Sequence, residues 1–185
     1  MNTDYKRTRY RSIFFVGGNS PDANPNGRRL GNYRYFRWII NELYGMKTIP
    51  AIEDVEAVMK AVLICAKGDG VLAPEERDWV VGRAAAYHNP KYELAKTYEA
   101  NEDLLDILNQ ASTIGSDPRV IIYIAIQACA ADGEYNSGEQ AAVRKLAKYI
   151  GIEEDVVTQI EELYTEEAKI REKRIALLFP NGAPY

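Results

Sequence analysis

One short acidic phrase occurs twice in this chain, and it narrows the folds open to it. Cys65-Ala66-Lys67-Gly68-Asp69-Gly70 leads into Val71-Leu72-Ala73-Pro74-Glu75-Glu76. Further on, Ala128-Cys129-Ala130-Ala131-Asp132-Gly133 leads into Glu134-Tyr135-Asn136-Ser137-Gly138-Glu139. In both copies a glutamate stands seven residues past the aspartate of the Asp-Gly pair. Asp-Gly favours a turn, because aspartate folds back on nearby amides and glycine accepts a left-handed backbone. An apolar helical run precedes each copy and another follows it. The expectation is a duplicated helix–turn–helix with an acidic corner.

The rest of the chain supports an all-α fold. At 185 residues, with 46% hydrophobic and 27% charged residues, it can bury about two-thirds of its surface as one domain. Leu30 to Tyr44 reads as a first helix, with Tyr33, Phe36, Ile40 and Leu43 on one face and Gly45 as its stop. Ile52 to Lys67 is apolar around most of its circumference and is expected at the centre. Pro74 suits the first turn of the next helix, which ends near His88-Asn89-Pro90. Shorter helices are expected over about Tyr92–Tyr98 and Asn101–Ser112.

Asp117-Pro118 marks another start, and the run to Ala131 should be the second central helix. Asn136 can cap the following helix, with Glu139 in capping-box position, and Gly151 ends it. The last helix spans about Glu153 to Leu178, with Val156, Ile160, Leu163, Ile170 and Leu177 on one stripe. No segment shows sustained strand alternation. The organisation expected is an arm and loop at 1–29, one helical domain at 30–179, and a tail at 180–185.

Charge is unevenly placed. Residues 1–50 hold nine basic and three acidic groups, a net +6, so the remainder carries −10 of the chain's total of −4. The segment 1–29 lacks helical periodicity but has Tyr5, Tyr10, Phe14 and Phe15. It reads as an extended arm that docks by its aromatics, either on its own acidic body or on an anionic partner. Arg28-Arg29, Tyr33, Arg34, Tyr35, Arg37 and Trp38 interleave basic and aromatic groups as a nucleic-acid face does. Aromatics at helical spacing more often pack, and the chain as a whole is acidic, so a nucleic-acid partner is not expected. There is no apolar run of about 18 residues, so no transmembrane segment is expected. Cys65 and Cys129 sit on apolar faces and read as core residues in a reducing compartment, which gives a cytoplasmic expectation.

The acidic corners admit two readings that stay open together. Asp69, Glu75 and Glu76 with Asp132, Glu134 and Glu139 could converge on a hard cation, calcium or magnesium, for which carboxylate oxygens are the fitting ligands. Equally, Asp-Gly is a good turn, and a first-turn glutamate meets the positive end of a helix dipole. EF-hand ligand spacing is missing. One histidine, His88, and two separated cysteines do not make a structural zinc site. No phosphate loop is present, and buried thiols make poor nucleophiles.

The helix ending in Ala-(Asp)-Gly with a glutamate seven residues past the aspartate, found twice, resembles the TerB-like family of tellurite-resistance proteins. The resemblance covers about residues 50–179. It implies an all-helical, pseudo-twofold bundle whose acidic residues gather on one surface. It further implies divalent-cation binding there and a role in stress or membrane-associated complexes rather than catalysis. Gly68 departs from the pattern, where alanine is more typical. The expected function is a non-enzymatic, metal-responsive interaction module that recruits a protein partner, with a homo-oligomer also open. The alternative is an enzyme or small-molecule-binding protein that uses the tyrosine-rich arm as a lid, with Glu76 or Glu139 as general base.

Overall fold

The computed structural model describes residues 30–47, 52–86, 91–111 and 118–182. The arm, His88 and the Asp117 cap lie outside the described residues, as does the end of the tail. Among the described residues every regular element is helical. The α-helices in chain order are α1 (Leu30–Tyr44), α2 (Ile52–Ala66), α3 (Pro74–Ala86), α4 (Tyr92–Thr97), α5 (Leu104–Gln110), α6 (Arg119–Cys129), α7 (Ser137–Tyr149) and α8 (Glu154–Leu178). A 3-10 turn, Ala130–Asp132, finishes α6.

The two most apolar segments form the centre. Helix α2 lies against α6, with α3, α5 and α7 packed on α2, and α7 and α8 on α6. Helix α2 buries Val62, Leu63 and Cys65, and α6 buries Ile122, Ile126 and Cys129, all at 1% exposure or less. Each large aliphatic side chain removed from water contributes about 1.5–3 kcal/mol. A segment apolar all round therefore has its lowest free energy with helices on every side. Both cysteines are reduced and buried, as expected. Burial disfavours the thiolate, and Cys65 is pushed up to about 12.

Local signals set the helix ends. Helix α5 starts at Leu104, because Asp103 caps it by accepting from the Leu105 amide at 2.8 Å. The start expected at Asn101 falls three residues early, because Leu104 and Ile107 are the buried positions and they fix the register. Asp103→Ala is expected to cost about 1 kcal/mol in a denaturant melt, the usual worth of such a cap.

Two apolar faces differ from expectation. On α1, Ile40 is buried but Leu43 is 58% exposed. On α8 only Val157 is buried, while Ile160 and Tyr164 pack on the core. Leu163, Ile170 and Leu177 are exposed. A helical period shows that a stripe exists and leaves open which surface it faces.

Candidate functional site

The two acidic turns are built alike. Asp69 Oδ1 accepts from the Val71 amide at 2.9 Å, and Asp132 Oδ1 accepts from the Glu134 amide at 2.9 Å. Gly70 and Gly133 then take left-handed φ values of +99° and +101°, which a β-carbon would strain. Three residues into each following helix start, a glutamate reaches back to the chain. Glu76 Oε2 accepts from the Ala73 amide at 2.7 Å, and Glu139 Oε2 from the Asn136 amide at 2.8 Å. The second is a complete capping box, since Asn136 Oδ1 accepts from the Gly138 and Glu139 amides.

These backbone bonds turn the glutamates inward. Glu76 is 1% and Glu139 is 2% exposed. Glu76 Oε1 is buried and finds no hydrogen-bond donor among the described residues. The Glu76 and Glu139 side chains interact, and a bond between two carboxyls requires a proton on one of them. Burial is the main cause that holds Glu76 up at about 8, and the contact with Glu139 raises it further. Burial also raises Glu139, against the bonds it accepts from Glu76 and the Asn136 amide. Burial raises both carboxyls, so the pair shares one proton and one negative charge, as expected when two carboxyls occupy one site.

Asp132 and Asp69 add to the same neighbourhood. Asp132 acts electrostatically on both glutamates, and Asp69 on Glu139. The first turn is tied directly to the second helix start, where Asn136 Nδ2 donates to Asp69 Oδ2 at 3.1 Å. That link was not legible in the sequence, which offered Asn136 only as a cap. Backbone contact reinforces it. A β-carbon at Gly68 would lie 2.6 Å from the Gly138 carbonyl oxygen, and one at Gly138 would lie 2.8 Å from Asp69 Cα. Gly68 therefore stands where the second copy has Ala131 because α7 passes too close for a side chain.

Four of the six acidic residues singled out in the sequence are thus brought together: Asp69, Glu76, Asp132 and Glu139. Glu75 and Glu134 are exposed, and their carboxylates bond to none of the described residues. Among the described residues no three acidic, histidine or cysteine side chains already close around a metal position. The donor chemistry is nonetheless all carboxylate oxygen, which suits hard cations and not zinc. The pair also acts on Cys129, whose thiol is raised by burial first and then by Cys65, Glu139 and Glu76.

Comparison with known proteins gives one informative likeness. A crystal structure of a tellurite resistance protein from Nostoc punctiforme matches with a TM-score of 0.74 at 42% sequence identity. The match covers 83% of this chain and 98% of that one. No family model and no curated relative matches the sequence.

Proposed function

Since the chain belongs to the TerB-like family of tellurite-resistance proteins, we propose that it is a non-enzymatic, divalent-cation-responsive interaction module. The relative's description as a tellurite resistance protein supports a place in a stress response. The observation that carries the cation reading is the buried Glu76 Oε1, which finds no donor among the described residues, on a side chain that interacts with a second carboxylate, Glu139. Calcium or magnesium would take the place of the shared proton, with Glu76 and Glu139 as inner ligands and Asp69 and Asp132 closing in from the two turns. Glu75 and Glu134 lie within the same two segments and would supply outer charge. Because the ligands come from both turns, binding would lock the two helix–turn–helix units together and fix one surface for a partner protein.

Calorimetric titration of metal-free protein with calcium, magnesium and manganese tests the reading. Saturable binding is expected for at least one of them, and Asp69→Asn with Asp132→Asn should weaken it at least tenfold. These two aspartates are exposed, so the double variant should keep its helical circular dichroism. No binding heat from any of the three cations, together with no shift in melting temperature, rejects the cation reading.

A further inference from the structure

Helix α8 continues well past the core it packs on, and its outer face has an orderly pattern. Leu163, Ile170 and Leu177 recur every seven residues and are 47%, 62% and 73% exposed. A seven-residue repeat drifts only about 20° per step on a straight helix, so the three form one stripe over about 21 Å. Core-packed Val157, Ile160 and Tyr164 lie on the adjoining face, roughly 60–120° around the helix from Leu163. Glu166 and Glu167 flank the stripe in its first half, and Lys173 and Arg174 flank it in its second. Among the described residues Glu166, Lys173 and Arg174 form no ion pair in their own chain. Glu167 accepts the Tyr123 hydroxyl, which holds it at the edge of the stripe.

We propose that this stripe docks on the same stripe of a second copy, with the two α8 helices antiparallel about a twofold axis at Ile170. The charge order selects both the occupant and the direction. Two antiparallel copies centred there place Leu163 against the partner's Leu177 and Ile170 against the partner's Ile170. Flanking positions then meet their own kind across an antiparallel seam, so Glu166 faces the partner's Lys173 and Glu167 the partner's Arg174. A parallel pair would set Glu166 against the partner's Glu167 and Lys173 against the partner's Arg174, like charge against like. A contact in which the same patch serves both chains closes at two and does not propagate.

Sedimentation of the full chain should show a concentration-dependent dimer. Ile170→Glu places two carboxylates on the axis and should return the protein to monomer with unchanged helical circular dichroism, since the residue is exposed. Glu166→Lys should weaken the dimer at least tenfold, and adding Lys173→Glu should restore it. Register is read by cross-linking, because the native thiols Cys65 and Cys129 are buried. Ile170→Cys should form a disulfide-linked dimer alone, whereas Leu163→Cys and Leu177→Cys should link efficiently only when mixed. Efficient self-linking of Leu163→Cys means parallel helices and overturns the proposal. A wild-type monomer at every concentration also overturns it, and leaves the stripe to another segment of the chain or to a different protein.

Discussion

Gly68→Ala and Gly138→Ala are each expected to destabilise the fold by about 2–4 kcal/mol, the range of severe overpacking against atoms that cannot rotate away. The new methyl carbon at position 68 would meet the Gly138 carbonyl oxygen at 2.6 Å and Glu139 Cα at 2.8 Å. At position 138 it would meet Asp69 Cα at 2.8 Å and the Asp69 nitrogen at 2.9 Å. Ordinary contact needs roughly 1 Å more. All four atoms are backbone, so relief comes only by moving the first turn away from the start of α7. That movement stretches the Asn136–Asp69 bond and separates Asp69 from Glu139. The variants should therefore lose cation affinity as well as stability, and lose more of the first than a generally weakened fold would. Gly82→Ala is the matched control. Nothing lies within 4 Å of a β-carbon there, and the residue is within α3, so alanine should gain up to about 1 kcal/mol. Urea melts of the three variants check the sign and the order.

The same contact shows where sequence reasoning stops. Helix α1 has the bounds its period predicted, Leu30–Tyr44, and the Asn136–Glu139 capping box is present as read. Both are local, set by residues within a few positions of one another. The inward turn of Glu76 and Glu139 was half legible. A first-turn glutamate that reaches back to an amide is a local event, but its burial depends on which helix covers it. The Asn136–Asp69 bond spans 67 residues, and no spacing rule announces it. The best available hint was Gly68 itself, a departure from the repeat in the position where a neighbouring backbone needs room. On α8 the hydrophobic period was real, but a stripe read as one face carried both the packed Ile160 and the exposed Ile170. Chain length decided that outcome, since 25 residues outrun the core beneath them.

Metal-free protein is expected to become less stable as pH rises from about 5 to about 9, by on the order of 4 kcal/mol, or about 10 °C in melting temperature. The sign follows from Glu76. Its proton is held in the folded chain until about 8, while an ordinary glutamate releases it near 4.5. Below the lower value both states are protonated and the full stability is present. Between the two values folding takes up a proton, and stability falls by about 1.4 kcal/mol per pH unit until the folded carboxyl ionises. Glu139 is shifted in the same direction, and Asp132 adds repulsion to both, so no neighbour in the cluster reverses the slope. Glu76→Gln should flatten the profile. It leaves the single histidine, His88, in place, so a slope that survives in this variant belongs to another group and removes the shared-proton account. Calcium or magnesium should act at the alkaline end, where no proton competes for the oxygens. At a hundredfold excess over its dissociation constant, the cation would restore about 2.7 kcal/mol, roughly two-thirds of what ionisation removes. At pH 5 the same concentration should do little. A cation that stabilises wild type equally at both pH values, or stabilises Glu76→Gln as strongly, binds somewhere other than between these two glutamates.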